Sequence, residues 1–220
     1  MGRATAIAGA IAIILGGAAI GYAVTRQAAV GMSEAQSVAM ATAVGKLDAQ
    51  IGSKRAEVHE RARTLSELPL LRRAIATDAK TFLDLVSGDK GGELANLSLD
   101  GAGADNEIIE VGGVSAESGK LELWLLQPRS APRMAHDGAP GVYVDLLGSQ
   151  ITITEVVKVV PTEVGKQPGY LSITRELAVN PVVQPLLDAG ITGKLVVGAG
   201  TAAIGKMPEG TATAERPLGA

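Results

Sequence analysis

The chain contains no cysteine, only two histidines, and aromatic side chains at 2% of its 220 residues. Without thiols there is no disulfide framework, no thiolate-held metal and no cysteine nucleophile. His59 and His136 supply too little imidazole for a transition-metal centre, so no metal ligands are expected. An excess of positive charge is also missing. Twenty Lys plus Arg against 23 Asp plus Glu leave a net charge of −3, without the concentrated positive field of a nucleic-acid binder. The G-x-S-x-G elbow, the P-loop and H-E-x-x-H are absent as well, and no catalytic residue is expected. Gly198-Ala199-Gly200-Thr201-Ala202-Ala203 fits G-x-G-x-x-A, but only 17 residues follow Ala203. That is too short for the helix, second strand and ribose-binding acid of a dinucleotide site, so no cofactor is expected. The chain reads as a non-enzyme.

Against these absences stands one long uncharged run, Ala4 to Thr25, bracketed by Arg3 and Arg26. About 20 apolar residues at about 1.5 Å each cross a hydrocarbon core of about 30 Å, so a single transmembrane helix is expected over 4–25. The run is longer than the roughly 7–15 apolar residues of a signal peptide, which favours an uncleaved signal anchor over cleavage near Gly21-Tyr22-Ala23. Gly17 and Gly21 form a G-x-x-x-G pair, a face on which two such helices dimerise closely. Arg3 and the α-amine outweigh Arg26 by one charge. That bias places residues 1–3 in the cytoplasm and everything after the span outside it.

A long helix is expected from the span to Leu68. Ser33 and Gln36 make an S-x-x-Q capping box, and Pro69 pushes Leu68 out of the helical region. Val30, Val44, Ile51, Val58 and Leu65 recur at seven-residue intervals, with Ser37 as the gap. Their companions are Met40, Leu47, Lys54, Arg61 and Leu68, a column that turns charged halfway. This pattern predicts a dimer seam near the membrane and packing on the chain's own domain further along. Lys54, Arg55, Arg61, Arg63, Arg72 and Arg73 read as a solvated basic surface, and both histidines as solvated side chains.

Beyond Leu68, short helices are expected from Pro69 to about Thr77 and from the N-cap Asp78 to about Gly88. The pattern then becomes extended: 107–111, 121–127, 142–147, 151–160 and 170–174 read as strands joined by Gly, Pro, Asp and Ser. Short polar links between successive strands favour an antiparallel sheet. Asn180-Pro181 opens a last helix that contains Pro185 and stops at Gly190, and 195–197 adds a strand. Residues 88–220 hold 16 acids and 10 bases, whereas 32–87 hold 7 and 8. The extended part is thus mildly acidic and unsuited to anionic lipid or nucleic acid.

The order of parts, with the stretches LSELPLLRRAIATDAKTFLDLV (65–86), KLELWLLQPRS (120–130) and PGYLSITRELAVNPVVQPLLDAGI (168–191), resembles a Cache or PAS-like extracytoplasmic sensor domain of bacterial membrane receptors. The implied class is α+β: a transmembrane helix, a long helix, then a PAS/Cache-like antiparallel sheet with flanking helices. The parts fall at 1–3, 4–25, 26–68, 69–200 (the sensor domain) and 201–220 (a flexible tail). The resemblance implies a sensory, ligand-binding module in the inner membrane, single-pass, its domain in the periplasm or outside. Its partners would be a small-molecule ligand and either a second copy in a homodimer or a separate signalling protein. The rival reading is a non-catalytic structural or accessory subunit of an envelope complex. No cytoplasmic transmitter is seen after the domain, so the output is expected from a partner.

The strip 124–145 is the best equipped for a ligand. Trp124 offers a stacking face, Arg129 and Arg133 a clamp for carboxylate or phosphate, and Tyr143 with Asp145 an orienting pair.

Overall fold

The computed structural model describes residues 11–15, 22–26, 34–88, 94, 97, 107–115, 117–128, 131, 136, 138–147, 150–191, 193–197 and 200–204. The chain divides into two compact units. One comprises residues 1–50, 144–151 and 178–220, the other residues 51–143 and 152–177.

The long helix, α1, runs from Glu34 to Ser66. Its second half, from Ile51, belongs to the second unit. Ile51, Val58, Ala62 and Leu65 are buried there, the seven-residue column read from the sequence with Ala62 added. Leu68 lies outside the helical region, at φ −57° and ψ 123°, because the ring of Pro69 excludes it. Pro69 then occupies the first turn of α2 (Pro69–Ala74), where its missing N–H costs nothing. Asp78 caps α3 (Ala79–Gly88): its Oδ1 accepts from the amides of Lys80 and Thr81, and its Oδ2 from the Thr81 hydroxyl.

Five strands follow: β3 (Glu107–Val114), β4 (Leu121–Gln127), β5 (Gly141–Leu147), β6 (Gln150–Val159) and β7 (Gly169–Ala178). They form one antiparallel sheet in the order β4-β3-β7-β6-β5, so its first and last strands lie side by side at the centre. β3 pairs with β7 from Glu107 opposite Arg175 to Gly112 opposite Tyr170.

Alternation along the strands then assigns the faces. Glu107, Ile109 and Val111 share one with Arg175, Ile173 and Leu171. On it, Arg61 of α1 meets Glu107 and His59 of α1 meets Glu155 of β6. A Cβ on Gly169 would strike Ile75, which follows α2, so helices cover this face. The opposite face holds Ile108 and Glu110 of β3, Tyr170, Ser172 and Thr174 of β7, and Thr152, Thr154 and Val156 of β6. These are buried too.

Alternating Ile and Thr at 151–154 has the pattern of a strand with one wet face, yet the central strands are covered on both sides. The alternation of β4 is interrupted as well. The register slips between Val111 and Gly112, where Val111 faces Leu125 and Gly112 faces Leu123. The bulge leaves Trp124 as the extra residue, and it is buried beside its neighbour Leu125. Gly113 supplies the room, since a Cβ there would run into the Trp124 ring.

In the first unit, Gln36 of α1 donates from Nε2 to the carbonyl of Ala189 at 3.2 Å. Of the expected seam, Leu47 is 2% exposed within one chain, and Met40 and Val44 are half-buried. The last helix, α4, spans Asn180–Asp188 with Val179, not Asn180, at its N-cap. It closes as a Schellman motif. Gly190 (φ +70°) donates to Leu187 O at 2.9 Å, and Ile191 to Leu186 O at 2.8 Å. Strand β8 (Gly193–Val197) pairs antiparallel with β9 (Gly200–Ile204), which places the G-x-G-x-x-A stretch partly in a hairpin strand and not at a helix start.

The same unit contains part of the N-terminal run. Ile11–Leu15 (β1) and Tyr22–Arg26 (β2) are antiparallel strands, Ile11 opposite Arg26, where a transmembrane helix was expected. β-Branched Ile11, Ile13, Ile14, Val24 and Thr25 suit an extended backbone, and glycine lowers the helical propensity of the run. Among the described residues no helix is long and apolar enough to cross a membrane. Gly17 and Gly21 lie outside the described residues.

Candidate functional site

The site is the sheet face turned away from the helices, and it lies wholly in the second unit. Three central strands contribute its polar floor. β3 brings Glu110, directly opposite Ser172 of β7. β7 also brings Tyr170 and Thr174, and β6 brings Thr152 and Thr154. Glu110 is 3% exposed and Ser172 1%; Thr152, Thr154 and Thr174 are wholly buried. A two-layer domain normally fills such a position with aliphatic side chains. Each hydroxyl or carboxylate buried there costs free energy unless it is hydrogen-bonded.

Part of that cost is met internally. The hydroxyls of Thr154 and Thr174 lie 2.8 Å apart and form a hydrogen bond between neighbouring strands. The Ser172 hydroxyl has no hydrogen-bond partner, although it is buried beside Glu110. Tyr170 bounds this floor. Gly112, opposite it in the ladder, has no room for a Cβ because the Tyr170 ring lies over it. Gly138 (φ +71°) packs on the other side, where a Cβ would lie 2.6 Å from Tyr170 Cδ1. The segment preceding β5 therefore closes over the Tyr170 end. In it His136 stacks on Tyr143, with ring centroids 3.7 Å apart and planes 15° from parallel. The Tyr143 hydroxyl donates to Ala139 O at 2.9 Å, which fixes that ring.

The structure distributes the strip read from the sequence. Trp124 is in the hydrophobic layer on the helix side, its ring centroid 5.7 Å from that of Phe82 of α3. Tyr143 is half-buried and stacked as described. Asp145 is half-buried in β5 and falls in the other compact unit. Arg129 and Arg133 lie outside the described residues. Glu110, Ser172 and the threonines were missed because alternating Ile and Thr, or Leu and Ser, looks like a half-wet strand. Local pattern carried no signal for them, because only the order β4-β3-β7-β6-β5 puts the first and last strands inside the sheet.

The helix-side face carries a second polar group. Glu107, its side chain 1% exposed, lies between Arg61 and Arg175. Arg61 donates from Nε to Oε1 at 3.3 Å. Arg175 Nη2 approaches Oε2 at 2.7 Å but off the hydrogen-bonding direction, and Arg175 Nε is buried with no partner. On the far side of β7, His59 Nδ1 is 2.9 Å from Glu155 Oε1 and 3.2 Å from Oε2. This histidine is therefore paired, not simply solvated. Among the described residues no group of three or more His, Asp or Glu side chains could hold a metal ion. Comparison of the chain with protein-family models, with curated proteins and with solved structures finds no match.

Proposed function

We propose that the chain is a membrane-anchored, extracytoplasmic sensory module that binds a small polar ligand without catalysis. The observation that carries this reading is the buried polar face, with its unpartnered Ser172 hydroxyl beside the Glu110 carboxylate. Hydroxyls placed where a core normally has aliphatic groups are the few oriented polar contacts a small-molecule site needs. The architecture supports it. A long helix and two short ones precede a five-stranded antiparallel sheet whose first and last strands are adjacent, an α+β arrangement of the expected class. Ligand binding would bias the hold of α1 on the sheet and pass the change to a second copy or a signalling partner.

Anchoring rests on the uncharged run 4–25. An open strand pair leaves unsatisfied backbone groups in hydrocarbon, so anchoring requires this run to be helical in a bilayer.

The test is thermal unfolding of the full chain against amino acids, small amines, hydroxy acids and dicarboxylates. A ligand present at 100 times its Kd should stabilise the chain by about 2.7 kcal/mol. Ser172→Ala, which leaves the fold's own hydrogen bonds intact, should abolish or weaken that shift. Absence of any shift, with co-purification of an envelope protein, would favour the structural or accessory subunit instead.

A further inference from the structure

The first unit brings two hairpins from opposite ends of the sequence together. β1 and β2 form one two-stranded sheet, β8 and β9 another, with no ladder shared between them among the described residues. Even so, β1 lies against β8. Leu195, at the centre of β8, is 1% exposed. An isolated two-stranded hairpin does not bury a side chain so completely, so β8 is covered from outside its own hairpin.

Each hairpin alone is a poor structure in water, where a lone strand pair is marginal without further strands or a packed layer. β1 (IAIIL) is wholly apolar, and β2 (YAVTR) carries charge only at Arg26. β8 (GKLVV) has Lys194 alone, and β9 (GTAAI) has no charge. Short apolar strands with bare edges pair with other chains. Contact between β1 and β8 gives each hairpin part of the cover it lacks. The base of β8 is also fixed within the unit. Gly193 starts it two residues after Ile191, whose amide closes α4 on Leu186 O, and Ala189 O accepts from the Gln36 side chain of α1.

We propose that the β8–β9 hairpin is the dock that holds the apolar run 4–25 in water, and that the run enters a bilayer only by leaving it. The two states exclude each other. In hydrocarbon the backbone of the run must be satisfied within a helix, and a helical run no longer offers β8 an extended strand. Only the second half of the proposal rests on the anchoring read above; the dock itself does not.

The chain has no native cysteine, so introduced pairs can be crosslinked in the full chain, made by cell-free synthesis with or without phosphatidylcholine vesicles. Ile13→Cys is combined in turn with Lys194→Cys and Val196→Cys and treated with a flexible bismaleimide. Ile13→Cys with Val24→Cys, opposite each other in the first ladder, reports whether that hairpin has formed. Without vesicles, a link from 13 to β8 should form together with the 13–24 link. Both should be lost in the vesicle-bound fraction, and chain linked to β8 beforehand should stay in the supernatant when vesicles are added. A 13–24 link with neither link to β8, or precipitation of the chain when vesicles are absent, would overturn the dock. Links to β8 that persist in vesicle-bound chain, or vesicle binding by chain already linked, would overturn the exclusion. Links to β8 in a chain that never binds vesicles would uphold the dock and refute the anchor instead.

Discussion

At the scale of single residues, the most consequential placement is Glu107. Its carboxylate is shielded from water, and what compensates it is two guanidinium groups of unequal quality. Arg175 is 14% exposed and approaches off-line, while Arg61 is 29% exposed but makes a directed bond. Removing the acid leaves the mostly shielded Arg175, with its buried Nε, without a counter-charge, and the cost of an orphaned buried charge is about 3–5 kcal/mol at most. Glu107→Ala should therefore destabilise the chain by that order in urea unfolding. Arg61→Ala should cost distinctly less, because Arg175 still faces the carboxylate and the half-buried Arg61 is partly screened by solvent. Equal losses in the two variants would mean that Arg61, not burial of Glu107, dominates the cluster. Neither the triad nor the His59 pair was legible in the sequence. Arg61 and His59 sit among solvated Lys, Arg and Glu on α1, and only the register of β3 against β7 brings Arg175 beside Glu107.

Single elements were far more legible, and the reason is local. Helix ends announce themselves in residues that act on their own neighbours: Pro69 excludes Leu68 from the helix, Asp78 caps α3, and Gly190 takes the left-handed position after α4. Strand positions in β3 to β7 followed for the same reason. Their bulge and burial did not, because both depend on what lies across the sheet. Asp78 gives this scale its prediction. Hydrogen bonds from Thr81, amide and hydroxyl, with the Lys80 amide adding less, hold its carboxyl below the usual carboxylate range. A depressed folded-state pKa means the stabilisation is present above the unfolded value of about 3.9 and is lost as the pH falls through the folded value. Asp78→Ala should lower the melting temperature at pH 7. It should also flatten the acid limb of the melting profile below pH 4. Asp78→Asn, an equally good cap without a titrating group, should keep most of the stability at pH 7 while also flattening that limb. An unchanged acid limb in both variants would show that the cap does not couple to folding.

For the whole molecule, the decisive tension is in residues 4–25. Their length and lack of charge describe a membrane span, yet Ile11–Leu15 and Tyr22–Arg26 pair as strands. The two states answer to different solvents. In water, the β-branched positions can pair as a ribbon. In hydrocarbon, every backbone group must be satisfied within the segment, which a two-stranded ribbon cannot do and a helix can. The absence of native cysteine makes the choice measurable on the full chain, because an introduced thiol is the sole reactive one. With Ala29→Cys, three residues past Arg26, a membrane-impermeant thiol reagent should label intact cells. Alkaline carbonate should leave the chain in the membrane pellet. Retention without labelling would keep the anchor and reverse its orientation, which rests on a margin of one positive charge. Release into the supernatant would remove the anchor altogether. The strand pair would then stand as the functional form of this segment, and ligand binding on the sheet would have to be relayed without a membrane span.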